Sequence, residues 1–307
     1  MKKMLKQPNR LKRVWAVKKS DPVILHKDAA ANALLWKLRS YLDAAEPELV
    51  YFLVNTWRAQ GRAITYKELR EAILNREINA DLLEEWRQDY SRFVVKRLKP
   101  KWDEAMRAAV ADMEAKYPEW YFDPMGEGVR SWTETHSAEL VTNVTNTQIE
   151  GLRAVVRRAA VLETMTVDQL SYAIRPLVGL TRPQSVANLN YYTTLINNGI
   201  KEGKALDLSI RYAARQSRQR GYMIARTELA MAYNHGAHEG IKQAQAAGYM
   251  GEMKKTWCTA DDERVCRICG GLEGKEFAMD DDSVKAPAHP CCRCTMLYKE
   301  ISPPIIR

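Results

Sequence analysis

Apolar residues recur at three- and four-residue intervals over most of the first two thirds of the chain, the spacing that puts them on one face of an α-helix. From Ala29 to Lys116 the pattern is helical throughout, as in Leu34, Leu35, Leu38, Tyr41 and Leu42. Pro47 is expected to break the first helix, because proline removes a backbone donor and crowds the preceding turn. Gly61 marks a turn, and Thr65-Tyr66-Lys67-Glu68 has the form of a capping box that opens the next helix. A long stripe runs from Asp81 through Trp86, Tyr90, Phe93, Val94 and Leu98, is interrupted at Pro100, and resumes through Trp102, Met106, Val110 and Met113. Aromatic residues at this spacing pack between helices.

Tyr117 to Gly128 carries two prolines, two glycines and clustered aromatics, so it reads as a linker or structured turn, and a domain boundary is placed there. Helical spacing returns from Val129 to about Leu162. Thr166-Val167-Asp168-Gln169 and Thr181-Arg182-Pro183-Gln184 then read as two further helix starts. Residues 207–247 read as one or two helices, with Ile210, Ala214, Met223, Ala225, Leu229 and Tyr233 as the buried stripe. Arg211, Arg215, Arg218, Arg220 and Arg226 are expected to form one basic face, solvated or in contact with phosphate. Strand signals are confined to Lys254–Cys258 and Thr295–Tyr298, which could pair as a short ribbon.

The ribbon flanks the strongest chemical signal. All six cysteines lie between Cys258 and Cys294. Cys266 and Cys269 form a C-x-x-C knuckle, and His289, Cys292 and Cys294 supply a second set of donors about twenty residues on, the spacing of a tetrahedral zinc site. Gly270, Gly271 and Gly274 allow the tight turns between the halves, while Pro287 and Pro290 stiffen the backbone around His289. The favoured set is Cys266, Cys269, His289 and either Cys292 or Cys294, with Cys258 and Cys291 as thiols outside the site. A closed set of this kind points to structural zinc, since no position is left for water. The N-terminal residues show no apolar signal segment, which favours metal over disulfides.

The composition is that of a soluble protein, no apolar run reaches membrane-spanning length, and the formal charge of +9 points to an acidic partner. Part of that charge sits in residues 1–20, where Lys2, Lys3, Lys6, Arg10, Lys12 and Arg13 belong to a stretch without acidic residues. That basic arm is expected to lie on phosphate or an acidic protein surface, or to serve as a solubilising tail. His235 and His238, at i, i+3 beside Glu239, could bind a metal but read as surface residues.

The run Ile224-Ala225-Arg226-Thr227-Glu228-Leu229 with Ala232 and Asn234, then Asp262-x-Arg264-Val265-Cys266-x-x-Cys269, then Pro287-x-His289-Pro290-x-Cys292-Arg293-Cys294, resembles the phage head morphogenesis family of the Mu F type over roughly residues 130–300. The chain departs from that pattern at Ala286, where the family often has a second proline, and at Cys291, where it often has asparagine. The resemblance implies a minor head protein of the virion, made in the host cytoplasm, without enzymatic activity. Its implied partners are the portal protein, the inner capsid or scaffold, and packaged double-stranded DNA. Arg226 and Glu228 are expected to tie the zinc module to the helix, the alternative being a catalytic pair of the kind found in transferase sites, with Trp257 and Asp262 as further structural residues of the motif.

The whole chain is thus expected to be mainly α. A basic arm (1–20) leads into a helical N-terminal domain (21–122), a helical Mu F-like domain (123–250) and a small α+β module (251–307) stabilised by Zn2+. Rival readings are a zinc-dependent nuclease or toxin-like effector, and a zinc-containing DNA-binding protein. No H-E-x-x-H, G-x-S-x-G or P-loop pattern supports the first, and the chain closes soon after the cysteines without a further domain. The run Asp280-Asp281-Asp282 argues against the second.

Overall fold

Helix α1 runs without a break over Ala29–Ala63, straight through Pro47, in a computed structural model that describes residues 29–304 apart from 76, 160–171 and 261. Leu42 before the proline and Leu49 after it are buried in the same core, so the two segments dock on common neighbours. That shared packing outweighs a proline cost of about 3 kcal/mol, which is why the expected break is absent. Gly61 also lies inside α1 rather than in a turn. A side chain there would come within 2.6 Å of the Arg175 carbonyl, so the residue is small because a neighbouring backbone is close.

The turn comes at Thr65, where the capping box forms as expected. The Glu68 amide donates to Thr65 Oγ1 at 3.2 Å and the Thr65 amide donates to Glu68 Oε2 at 2.7 Å, opening α2 (Tyr66–Asn75). Asn79 caps α3 (Ala80–Phe93) by accepting the Asp81 amide at 2.8 Å. The path then continues through a π-helical turn, Val94–Leu98, into α4 (Lys99–Lys116). Pro100 therefore does not interrupt the helix. It lacks the donor an α-helical turn requires, and the ladder shifts to a five-residue step in which the Lys99 amide donates to the Val94 carbonyl.

Residues 117–126 form a structured turn rather than a loose linker. Trp120 and Phe122 are buried, and the Gln243 side chain accepts the Asp123 amide at 2.8 Å and donates to the Asp123 carbonyl at 3.0 Å. Helix α5 (Glu127–Ala159) follows, and the cap expected at Thr166–Gln169 lies outside the described residues. A 3-10 turn (Arg175–Leu177) leads to α6 (Arg182–Asn197), whose capping box pairs Thr181 with Gln184.

Helix α7 is a single element of 45 residues, Glu202–Ala246. A three-stranded antiparallel sheet follows, ordered β2-β1-β3, with β1 at Met253–Cys258, β2 at Glu276–Ala278 and β3 at Thr295–Glu300. The expected ribbon is β1 against β3, in a register that sets Trp257 opposite Met296. The short helix α8 (Arg267–Leu272) carries the first cysteine pair.

One core joins α1, α3, α4, α5 and α7, with Trp57, Trp102, Met106, Leu229 and Tyr233 among its members, so apolar side chains from both sides of residue 122 share it. A second joins Ile64, Ile73, Trp86, Val155 and Leu180. The third is small and lies under the sheet, with Trp257, Cys269, Cys292, Cys294 and Met296. Ile268 is 65% exposed, and the alternation of β3 turns Met296 rather than Leu297 into this core.

Helices α4 and α7 pack closely at Gly236, where a Cβ would lie 2.3 Å from the Met106 Cα. Relieving that overlap requires the helices to separate, so Gly236→Ala should lower the melting temperature although alanine is the better helix former. Gly203, at the start of the same helix, has nothing within 4 Å of its Cβ position, and Gly203→Ala should stabilise by about 0.5 kcal/mol. Thermal denaturation of the two variants checks the opposite signs.

Candidate metal centre

The knuckle is built where the loop after β1 enters α8. Cys266 is the N-cap of that helix, and its Sγ accepts the Cys269 amide at 3.4 Å, which sets the two thiols one turn apart on the same side. Pairing of β3 with β1 returns the chain so that the segment before β3 faces the knuckle. His289 Nε2 then lies 3.2 Å from Cys266 Sγ and 3.3 Å from Cys269 Sγ, and Cys292 Sγ lies 3.6 Å from Cys269 Sγ. These are the separations of donors that share one cation, and two sets of three overlap at Cys269: Cys266, Cys269 and His289, and Cys269, Cys292 and Cys294.

The histidine is oriented for the purpose. Its Nδ1 donates to the Pro290 carbonyl at 3.0 Å, which leaves the Nε2 lone pair directed at the thiols. Cys269, Cys292 and Cys294 are buried. Hydrogen bonding from Cys294 holds the Cys292 thiol down to about 5, burial pushes Cys269 up to about 12, and its bond with Cys292 raises Cys294 further. Several thiolates this close repel one another in a dry site, and a divalent cation removes that repulsion. The residues therefore fit a bound metal ion, and the cluster could hold one.

A second layer ties the two halves of the motif together. Arg293 forks onto the Asp262 carboxylate, and its hydrogen bonds hold that carboxyl down to about 2. Asp262 also accepts the Arg264 amide at 3.0 Å. Arg293 stands in the sequence motif without an assigned role, yet it alternates with Cys292 and Cys294, and a side chain between two inward-facing residues must face the other way. Trp257 is buried beneath the cluster. Cys258 and Cys291 lie outside both donor sets. Cys258 is buried at the end of β1, and Cys291 has a left-handed backbone, φ +58°, its amide donated to Thr227 Oγ1 at 3.0 Å.

Arg226 and Glu228 do not hold this module. Two residues apart on a helix, they point in nearly opposite directions. Arg226 reaches α1, with Glu46 at 2.9 Å, and also Tyr222 Oη at 2.7 Å, while Glu228 meets His136 Nε2 of α5 at 2.7 Å. The expected basic face divides in the same way. Arg211, Arg215 and Arg218 are exposed, but Arg220 and Arg226 are buried, Arg220 donating to the Gly179 carbonyl and, at 2.6 Å, to Thr147 Oγ1. The buried stripe holds at Ala225, Leu229 and Tyr233 but not at Met223, which is exposed.

His235 and His238 are not surface residues. His235 stacks on Trp132 at 4.8 Å, as does His136 at 4.6 Å, and burial depresses both His235 and His238 to about 4. The arm residues Lys2, Lys3, Lys6, Arg10, Lys12 and Arg13 lie outside the described residues.

Two tests follow from this geometry. Asparagine tolerates the left-handed backbone better than cysteine, so Cys291→Asn should leave metal uptake unchanged and raise stability slightly, whereas Cys291→Val should cost about 1 kcal/mol. Calorimetry with metal analysis reads both. The ring protons of His235 and His238 should titrate near pH 4 in the folded protein and near the ordinary value of about 6.5 when it is unfolded. Between those values the unfolded chain binds more protons, so stability falls as pH drops from about 6.5 towards 4. Midpoints near 6.5 in the folded protein, read by NMR, would refute the burial argument.

Residues 190–297 match the family model described as Phage Mu protein F like protein, a span that begins in α6, takes in all of α7 and every donor of the cluster, and ends in β3. The match starts later than the motifs suggested, at 190 rather than near 130. No curated protein and no solved structure matches the chain. Over residues 190–297, from α6 to β3, the chain is similar to the phage Mu F-like family.

Proposed function

We propose that the protein is a minor head component of a tailed phage, held at the portal inside the prohead, where it assists head assembly, DNA packaging or DNA delivery. The family match over the helix and cysteine module together carries this reading. Phage head proteins act within the virion, among capsid or portal-type partners, and no described helix is long and apolar enough to cross a membrane. The exposed row Arg211, Arg215 and Arg218, and the basic residues of the N-terminal arm, offer charge to packaged DNA or an acidic protein surface.

The metal in this reading is zinc, and its role is structural. Thiolates with one imidazole are soft donors that suit zinc over calcium or magnesium. Four of them close a tetrahedral shell, which leaves no position for a reacting water. The protein therefore acts without catalysis of its own. The module needs the ion, because a region of about fifty residues gains only about 3–5 kcal/mol from its core, while a structural zinc contributes about 10–16 kcal/mol at neutral pH. Cys269 belongs to both donor sets. Cys269→Ser should accordingly leave the helical signal in place while residues 251–300 become sensitive to limited proteolysis.

Mass spectrometry of purified proheads and mature particles tests the location. The chain should be present in few copies relative to the major capsid protein and should co-purify with the portal. Its absence from both kinds of particle would contradict the proposal.

A further inference from the structure

The two ends of the segment that carries Cys292 and Cys294 are each fastened to α7 by a buried polar side chain, in the same way. At one end the Cys291 amide donates to Thr227 Oγ1 at 3.0 Å. At the other, Thr295 Oγ1 donates to Asn234 Oδ1 at 2.8 Å. Each helix residue is itself aimed by the carbonyl one turn back: the Thr227 hydroxyl donates to the Met223 carbonyl at 2.7 Å, and Asn234 Nδ2 donates to the Ala230 carbonyl at 2.8 Å. Thr227 and Asn234 thus spend their only donor, or one of two, within the helix and present an oxygen outward as acceptor. Thr227, Asn234 and Thr295 are 8%, 5% and 2% exposed, so these bonds form out of competition with water.

The spacing matches the segment it holds. Thr227 and Asn234 are seven residues apart, two turns of helix and about 10.5 Å of rise, on one face. Cys291 and Thr295 are four residues apart, which reaches about 13 Å when fully extended. The segment can therefore lie nearly straight along α7 between its two fixed ends, with Arg293 turned to Asp262. Cys269, by contrast, is placed by its own short helix through the Cys266 cap. One half of the donor set is built locally and the other is hung on α7.

From this we infer that Thr227 and Asn234 are positioning residues of the metal site: they hold the Cys292–Cys294 segment at the distance from Cys266 and Cys269 that lets one ion bridge both halves. The inference rests on the reading of the cluster as a zinc site. It gives the polar residues of the α7 motif a task in metal binding that neither Arg226 nor Glu228 performs. Groups that orient ligands in this way typically change metal affinity by about 10- to 100-fold when removed.

The test uses the full chain, with zinc as the probe and a chromophoric chelator as competitor. Thr227→Val keeps the shape of threonine but loses the acceptor, and should weaken zinc binding about tenfold, while Thr227→Ser should restore it. Thr295→Val removes the other anchor from the loop side without altering α7, so it serves if the helix variant folds poorly, and it should give a similar loss. Helical content and the melting temperature of the metal-free protein, read alongside, should stay near wild type in Thr295→Val. Zinc binding at wild-type strength in both valine variants would overturn the positioning role while leaving the zinc site intact. A wild-type protein that takes up no zinc would overturn both.

Discussion

Helix α7 has no free side over its middle turns. Arg226, Thr227, Glu228, Leu229 and Ala230 are consecutive and all buried, which on a helix means that neighbours surround the full circumference. Each polar member must then find a partner, because an unpaired buried group costs on the order of 1–3 kcal/mol. Arg226 takes Glu46 of α1, Glu228 takes His136 of α5, and Thr227 takes the loop before β3. Gly236 removes the last obstacle to α4. The placement of α1, α4, α5 and the loop before β3 against this helix follows from those constraints.

The buried ion pair illustrates what such partners contribute. Burial pushes the Glu46 carboxyl up to about 7, and Arg226 only partly offsets the shift. A pair with that balance adds little net stability, yet removing one partner leaves the other charge stranded. Its effect is to fix which face of α1 meets α7, and so to hold the long first helix in register through Pro47. The cysteine cluster follows the same logic on a smaller scale, since its thiols are buried and crowded and a cation between them would offset the repulsion of their ionised forms.

Local signals were legible in the sequence wherever the partner lay within a few residues. Both capping boxes, at Thr65–Glu68 and Thr181–Gln184, form as the spacing implies, and the β1–β3 ribbon forms as well although its strands lie about forty residues apart. Cys266, Cys269, His289, Cys292 and Cys294 come together in two groups that could hold a metal ion, as ligand geometry imposes spacing on a chain. The readings of Pro47 and Pro100 as breaks went astray because packing from distant segments, and a π-helical turn, decide the outcome. Arg226 was assigned to the wrong neighbour for a similar reason: its partner lies 180 residues earlier. The basic face was read as one surface because spacing alone does not show that Arg220 and Arg226 are buried while Arg211, Arg215 and Arg218 are exposed. Strand β2 escaped notice because Glu276–Ala278 is three residues long and gains its identity only from pairing with Lys254–Thr256.

The central claim is that one closed metal site joins a locally built half to a half hung on α7. X-ray absorption at the zinc edge, on protein purified under reducing conditions and analysed for metal content, tests it most directly. The account predicts one zinc per chain, with three sulfurs at about 2.3 Å and one nitrogen at about 2.0–2.1 Å. A protein without zinc, or a shell with fewer sulfurs completed by water oxygen, would contradict it.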